Sequence, residues 1–499
     1  MSSPQYVLAL DLGTTGNRAI LFNASGTVSG QAYKELTQHY PQPGWLEHDA
    51  TEIWQDTRDL IQQVLTETRT QPQEIAAIGL TVQRETCLLW DKTTGQPLHK
   101  AIVWQDRRTA PLCNDLRAKG KAAEIQERTG LVLDAYFSAT KLAWLRDKVQ
   151  VEQPDVNPDN ILAGTIDTWV LWNLTSGQVH ATDHSNASRT MLMNLSTHQW
   201  DGELLQLFGI SEAWMPEIKP SMGVFGESDP SVLGAAIPIA GIFGDQQAAL
   251  FAHGCDQAGL LKCTYGTGCF LVAQMGETLA RSSQQLLSTV AWTTPEQTLY
   301  ALEGAMFTTG ACIQWLRDGI KLIQSAAETA ALVESVESNN GVYFVPALSG
   351  LGAPHWDMNA RASFQGITGG VKREHMVRAV LESIAYQVKE VVNAMNADAQ
   401  SPISLLKVDG GASQNDWLMQ FQADALGVPV ERPVILDATA QGAAFGAGLA
   451  VGFWSDYGAL IAQRQVDRVF EPGAGQAPAQ ENFAIWQKAV ERAKDWVES

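Results

Sequence analysis

Short apolar runs alternate along this chain with turns rich in glycine and threonine, and with stretches whose apolar residues recur every third or fourth position. Residues 6–10 (Tyr6-Val7-Leu8-Ala9-Leu10) read as a strand, residues 11–17 supply turn chemistry, and residues 18–22 resume the strand. The idea returns mid-chain. Residues 260–264 lead into Tyr265-Gly266-Thr267-Gly268, and residues 269–272 lead out. Just before this second turn, residues 237–243 form an apolar strand ending in Gly244-Asp245, and a helix-like segment follows over 246–253. A third glycine turn, Asp409-Gly410-Gly411, follows the strand 405–408, after which Trp417, Leu418, Met419 and Phe421 read as part of an apolar helix face. Between the second and third turns, apolar residues at 377, 380, 381, 384, 388, 391, 392 and 395 keep the helical period and predict an amphipathic helix over 375–396. Residues 471–479 read as a surface loop before a final helix from about 482 to 497.

This layout is two halves, each opening a sheet with a tight glycine–threonine turn. It predicts an α/β protein of two similar domains facing a cleft, with residues 1–253 in the first and 254–499 in the second. Ligands at strand ends in such sheets favour the same cleft. The length of 499 residues is ample for it. No short-period repeat, heptad run or low-complexity tract interrupts the pattern.

Composition narrows the function classes. The chain is 45% hydrophobic and 18% charged, which suits a sizeable core, and its formal net charge is −20. A surface this acidic repels phosphate backbones and anionic membranes, so neither nucleic acid nor a membrane is an expected partner. An anionic nucleotide must then be held by backbone N–H groups, a metal ion or a few placed cations. Six cysteines without CxxC spacing read as reduced, mostly buried thiols. The start lacks a basic region ahead of its short apolar run, and the longest uncharged apolar stretches, 232–244 and 443–454, are too short to span a bilayer. A cytoplasmic protein without a signal peptide is expected.

Each motif has a plain reading beside its chemical one. Asp11-Leu12-Gly13-Thr14-Thr15 lets backbone N–H groups and two hydroxyls approach an anion, with Asp11 at a strand end able to hold magnesium through water; an ordinary Asx-turn hairpin accounts for that segment equally well. Gly266-Thr267-Gly268 and Asp409-Gly410-Gly411 are weak singly and more informative together, each following an apolar strand. Asp245 stands between a strand and a helix, where the commoner role of a lone Asp is an N-cap. The P-loop, the protein-kinase signatures, the G-x-S-x-G elbow and H-E-x-x-H are missing from the sequence. The nine histidines do not cluster at metal-ligand spacing, and His184 and His355 read as structural or surface residues. Arg84-Glu85 can fork hydrogen bonds onto vicinal hydroxyls, and Trp104, Tyr136 and Phe270 can wall a small polyol's carbon backbone, although core packing explains any one of 16 tryptophans taken alone.

Taken together these strings resemble the FGGY carbohydrate kinases, and within them those acting on glycerol. The likeness runs through Leu10-Asp11-Leu12-Gly13-Thr14-Thr15, Pro43-Gly44-Trp45-Leu46-Glu47-His48-Asp49, Gln83-Arg84-Glu85-Thr86, Ala101-Ile102-Val103-Trp104-Gln105 and Gly244-Asp245-Gln246-Gln247. It continues through Thr264-Tyr265-Gly266-Thr267-Gly268-Cys269-Phe270, Leu302-Glu303-Gly304-Ala305, Gly350-Leu351-Gly352-Ala353-Pro354, Leu381-Glu382-Ser383-Ile384-Ala385-Tyr386-Gln387 and Val408-Asp409-Gly410-Gly411-Ala412. The resemblance implies two ribonuclease-H-like domains of the actin-like ATPase fold around a central cleft, most of the polyol site in the first and most of the nucleotide site in the second. It implies ATP and Mg²⁺ as cofactors, phosphorylation of glycerol to sn-glycerol 3-phosphate, and a homodimer or homotetramer. Carried over by position, Asp245 is the implied catalytic base. Arg84, Glu85, Trp104, Tyr136, Asp245, Gln246 and Phe270 are the implied polyol set. Thr14, Thr15, Arg18, Thr267, Gly310, Gln314, Gly411 and Asn415 are the implied nucleotide set, and Asp11 with Asp245 the magnesium partners.

Two departures from the family pattern stand out. Gly16 and Asn17 replace serines that often follow the paired threonines, so the loop lacks a hydroxyl. The stretch 231–238 is shorter than the loop that binds fructose 1,6-bisphosphate in some bacterial relatives and carries no cation, so inhibition by that effector is not expected. No histidine lies between 209 and 243, so the activating histidine phosphorylation of some relatives is not expected either. Two rivals remain: a relative acting on a pentulose, hexulose or gluconate, and an actin-like ATPase serving as chaperone or filament. The second explains the phosphate turns but not the arrival of Arg84-Glu85, Trp104 and Tyr136 as a set.

Overall fold

A computed structural model describes residues 4–399, 401–434 and 437–497; the first three residues of the start read above lie outside it. Six strands build the first sheet: β1 (Tyr6–Leu12), β2 (Gly16–Asn23), β3 (Val28–Glu35), β4 (Ile75–Val82), β5 (Met222–Glu227) and β6 (Pro238–Gly244). Their spatial order is β5-β6-β4-β1-β2-β3. β1 pairs antiparallel with β2 and parallel with β4, and β4 pairs parallel with β6. The central strands are apolar almost throughout because both faces of the sheet are covered, the usual fate of parallel strands. The turn is tighter than the sequence predicted. Asp11 and Leu12 pair with Arg18 and Asn17, and Gly16 already pairs with Glu35 of β3, so only residues 13–15 are left to turn.

The second sheet repeats the plan. It consists of β7 (Leu260–Tyr265), β8 (Cys269–Gly276), β9 (Leu287–Thr293), β10 (Thr298–Met306), β11 (Leu405–Asp409), β12 (Val430–Pro433) and β13 (Val466–Phe470), in the order β9-β10-β8-β7-β11-β12-β13. Here too a hairpin, β7–β8, has an antiparallel strand on one side and two parallel neighbours in succession on the other. Each hairpin carries one of the two glycine–threonine turns, so the duplication read from the sequence is a duplication of strand pairing.

Helices seat the two sheets. The helix Arg373–Asp398 buries all eight periodic positions predicted for it, and it buries Glu382, Ser383 and Tyr386 as well, because it is packed on more than one side. In the helix Asp416–Leu426, Leu418 and Met419 are buried, while Trp417 and Phe421 are half-buried and stacked with ring centroids 5.1 Å apart. The last helix begins at Gln476 rather than near 482 and ends at Ala493, a correction to the predicted loop over 471–479. Pro478 is the third residue of that helix, where a missing N–H costs nothing.

The helix Ala438–Ala450, although late in the chain, packs on the first sheet and on the helix Asp245–Ala252. Its small residues permit this. A Cβ on Gly442 would lie 1.9 Å from the carbonyl oxygen of Ala248, and one on Gly79 of β4 would lie 2.2 Å from that of Ala443. The two helices and the cluster Val7, Ala9, Phe243, Leu250, Ala444 and Phe445 thus form one apolar layer under the cleft. All six cysteines are free and buried. No helix among the described residues is long and apolar enough to cross a membrane.

Candidate active site

A cavity of about 490 Å³ opens where the strand ends of the two sheets meet. Its lining includes Thr14 and Thr15 from the first turn, Arg84 and Glu85 from the loop after β4, Trp104, Tyr136, Asp245 and Gln246 at the start of a helix, and Thr267 and Phe270 from the second hairpin. Ten of the residues singled out in the sequence are therefore neighbours in space, drawn from both lobes. Gln105, Arg107, Thr264, Met306, Phe307 and Met358 complete much of the wall.

Asp245 opens the helix Asp245–Ala252, but the N-cap is Gly244, so the plain capping role does not fall to it. Its Oδ1 accepts from the N–H of Gln246 at 2.7 Å and lies 3.1 Å from Nε of Arg84. The side chain keeps 28% of its surface exposed, in contrast to the 2% of Arg84, so its carboxylate reaches the cavity. Glu85 takes a φ of +63°, a conformation uncommon for a side chain of its kind and one that clusters where geometry serves function. Burial raises its carboxyl above the ordinary range, against the pull of Arg189 and Arg84.

Aromatic rings form the apolar side. Trp104 meets Tyr136 and Phe270 edge-on, with centroids 5.5 and 5.8 Å apart. Phe270 belongs to β8, so the wall spans the two lobes. Tyr136 is held from behind: Nζ of the fully buried Lys141 donates to the carbonyls of Ala135, Tyr136 and Phe137 at 2.6, 2.5 and 3.1 Å. Asp134, two residues earlier, accepts from the N–H of Tyr136 and pairs with Arg107.

The other predicted residues lie around the cavity rather than in it. Asp11 is buried, its Oδ2 accepts from Thr439 at 2.9 Å, and burial raises its carboxyl to about 6. Arg18 is its chief cationic neighbour and itself pairs with Asp437 at 2.5 Å. Gly310 donates to the carbonyl of Gly266 at 3.0 Å and so abuts the second turn. Gln314 is exposed on the short helix that Gly310 begins. Gly411 follows Gly410, whose φ of +85° lets the chain turn against Tyr265, and a Cβ on Gly411 would meet nothing within 4 Å. The side chain of Asn415 caps the helix Asp416–Leu426 through the N–H of Leu418. Asp409 is engaged by His253 at 2.7 Å; burial acts to raise its carboxyl, but that bond, the charges of His253 and Lys262 and a bond from Thr264 together hold it below the usual range. His184 bonds Thr293 and His355 bonds Glu390. Beside the stretch 231–238, Arg58 of the helix Ala50–Thr68 and Arg69, which caps that helix, line a surface hollow with Val232 and Leu233.

Three charged residues at the site escaped the reading of the sequence as site residues: Arg189, Lys262 and Glu303. Lys262 donates to Thr264 Oγ1 at 2.9 Å and to Gln246 Oε1. The signal for two of them is a single charge inside an apolar strand, Lys262 in Leu-Leu-Lys-Cys-Thr-Tyr and Glu303 in Thr-Leu-Tyr-Ala-Leu-Glu-Gly-Ala-Met. Arg189 has no such signal.

The arrangement combines a forked polar set and an aromatic wall with two glycine–threonine turns and one partly exposed carboxylate. Known proteins resemble this chain in sequence and fold. Residues 6–252 match the N-terminal domain of the FGGY family of carbohydrate kinases, and residues 261–451 match its C-terminal domain. Glycerol kinase of Rippkaea orientalis is 69% identical over 493 residues, 99% of each chain, and that of Acaryochloris marina is 68% identical over the full length of both. The crystal structure of Plasmodium falciparum glycerol kinase with ADP superposes with a TM-score of 0.91 at 34% identity over 100% of each chain. A xylulose kinase from Lactobacillus acidophilus, 22% identical, shares the fold with a TM-score of 0.88 over 98% of each chain. Lobes of this construction, with the cleft at their strand ends and both domain models matched in order, leave one assignment: the chain is an enzyme of the FGGY family of carbohydrate kinases.

Proposed function

We propose that this chain transfers the γ-phosphoryl group of ATP to a terminal hydroxyl of glycerol, giving sn-glycerol 3-phosphate, with Asp245 as the general base. The observation that carries this reading is the position of the Asp245 carboxylate. It lines one cavity with the polyol set, Arg84, Glu85, Trp104, Tyr136, Gln246 and Phe270, and with Thr14, Thr15 and Thr267 of the two turns. The high identity to glycerol kinases over the whole chain supports the choice of acceptor, and the ADP named for the Plasmodium enzyme supports the choice of donor.

Phosphoryl transfer asks a protein mainly for positioning and for charge neutralisation. Glu85 and Arg84 bind the vicinal hydroxyls, one accepting and one donating, while the ring edges of Trp104 and Phe270 exclude water and limit the length of the acceptor. Asp245 accepts the proton of the attacking hydroxyl, a role worth about 10²–10⁴ in rate. Thr14, Thr15 and Thr267 offer hydroxyls and backbone N–H groups to the phosphates. Arg18, Gly310, Gln314, Gly411 and Asn415 bind the rest of the nucleotide. Mg²⁺ fits this donor set. Asp11 is a buried carboxylate raised to about 6, with Asp245 and Asp437 as like charges near it, and a divalent cation would offset that repulsion. Asp11 and Asp245 would hold it, and it would supply neutralisation of the charge that develops on the leaving nucleotide. We place most of the polyol site in residues 1–253 and most of the nucleotide site in 254–499, and expect a cytoplasmic homodimer or homotetramer.

Coupled-enzyme turnover with glycerol, D-xylulose, D-ribulose and gluconate side by side tests the reading. Glycerol should give the highest kcat/KM. Faster turnover of a ketose, or ADP release indifferent to every polyol, would overturn it.

A further inference from the structure

Two buried charges stand directly behind the polyol wall, and neither lines the cavity. Glu303 lies within β10, and Arg189 follows the short helix His184–Ala187; both are 0% exposed. Glu303 grips Arg84 with both oxygens. Its Oε2 accepts from Nη1 at 2.5 Å and its Oε1 from Nη2 at 3.2 Å. The same Oε1 accepts from Nη2 of Arg189 at 2.9 Å, and Nε of Arg189 donates to Oε1 of Glu85 at 2.7 Å. Nη1 of Arg189 has no hydrogen-bond partner, and its guanidinium lies 5.6 Å from the ring centroid of Tyr136 and 5.4 Å from that of Phe137. Between them the two residues touch Arg84, Glu85 and Tyr136.

Packing alone gives no reason for this pair. Glu303 is the one charge in a buried apolar strand, and replacing buried ion pairs by apolar residues of similar size is often neutral or stabilising. The pair does, however, settle where Arg84 points. That guanidinium has three acidic neighbours, Glu303 on its Nη atoms and, at its Nε, Asp245 at 3.1 Å and Glu85 at 4.0 Å. With Glu303 gone, Nη1 keeps only the amide oxygen of Gln247 at 3.3 Å and Nη2 keeps no partner, so the guanidinium is left to the pull of Asp245 and Glu85. Burial acts to raise the Glu303 carboxyl, but Arg189 and Arg84 outweigh it and hold it below the ordinary value, so it is ionised at neutral pH.

We propose that Arg189 and Glu303 are positioning residues for the polyol, fixing the orientation of Arg84, Glu85 and Tyr136 from behind. Glu303 belongs to the second sheet and Arg84 to the loop after β4 of the first, so the polyol set is completed only when the two lobes are seated on each other. The inference rests on the proposed glycerol kinase activity.

The test is steady-state kinetics of the full chain with glycerol and ATP varied independently, for wild type, Glu303→Gln, Arg189→Lys and the double variant R189M/E303M. The expected result is a glycerol KM raised at least tenfold in Glu303→Gln and in the double variant, with the ATP KM within twofold of wild type. Arg189→Lys keeps the charge but replaces the rigid Nε/Nη fork with a single nitrogen on a flexible stem, and should fall between. The double variant removes both charges together and is expected to melt near wild type, so it carries the test if Glu303→Gln does not fold. A glycerol KM within twofold of wild type in a folded variant overturns the positioning role. A parallel rise in both KM values also overturns it, since a merely structural defect would act on both. A wild-type enzyme that does not turn over glycerol overturns the underlying reading instead, which separates the two failures.

Discussion

The indole Nε1 of Trp104 donates to Oγ1 of Thr14 at 2.9 Å, so the aromatic wall of the cavity is bonded to the first glycine–threonine turn. Under the proposed function, a side chain that borders the acceptor thereby also orients a hydroxyl offered to the donor. Trp104→Phe keeps an aromatic wall but removes the bond. A neutral hydrogen bond is worth about 0.5–1.5 kcal/mol, roughly two- to tenfold in rate. The expected outcome is a fall in kcat of that size with a smaller change in the glycerol KM, read from kinetics with each substrate varied in turn. An unchanged kcat would show that the indole serves only as a wall.

Asp245→Asn preserves shape and the bond from the Gln246 N–H while removing the ability to take a proton. It should lower kcat by at least ~10²-fold and leave ADP affinity, measured by titration calorimetry, near that of wild type. Near-normal turnover would remove Asp245 from the proposed chemistry, whereas loss of ADP binding would move its role to the nucleotide.

The sequence was legible where local pattern decides structure. The two hairpins show as apolar strands interrupted by glycine and threonine because their central strands are buried on both faces. Asp245 was conspicuous because a carboxylate at the end of an apolar strand faces whatever lies beyond the sheet. Trp104, Tyr136 and Phe270 could be read as a wall only as a set, and the likeness of whole strings to a family strengthened that reading, since single aromatics read as core. The hidden parts share one physical cause. Arg84 and Glu303 are 219 residues apart, and nothing local to either announces the other. The helix Ala438–Ala450 crosses to the sheet of the first half through close glycine contacts that periodicity does not encode. The early start of the last helix was missed because Pro478 read as loop, although the first turn of a helix accepts proline.

Lys141 supplies the pH prediction. Burial lowers its ammonium to about 8, offset in part by Cys87, Glu85, Asp106 and Asp134 around it. The sign follows from linkage. Between about 8 and the unfolded value of 10.5 the unfolded chain holds a proton that the folded chain has released, so this group's contribution to stability rises with pH in that window. Its grip on the loop changes the opposite way, because a neutral amine has two hydrogens for the three carbonyls that the ammonium serves. The glycerol KM of the wild type should therefore rise several-fold between pH about 7 and about 9, while Lys141→Met shows a raised KM already at neutral pH and little further dependence. A flat wild-type profile across that range would remove the loop of Tyr136 from pH control.

Gly442 tests whether the interlobe layer sets the catalytic geometry. A Cβ there would lie 1.9 Å from the carbonyl oxygen of Ala248, a backbone atom of the very helix that Asp245 begins, so no rotamer change can relieve the clash. The helices must separate instead. Overpacking of this kind costs about 1–3 kcal/mol, and a backbone shift of part of an ångström at Asp245 costs rate in addition. Gly442→Ala should lower both the melting temperature and kcat. Gly202→Ala, where a Cβ meets nothing within 4 Å, should leave both within error and serves as the control for replacing a helical glycine. If Gly442→Ala melts early yet turns over at the wild-type rate, the layer stabilises the fold without governing where the carboxylate stands. If both fall together, the tight seam between the late helix and the helix of Asp245 is part of what aims the base at the hydroxyl.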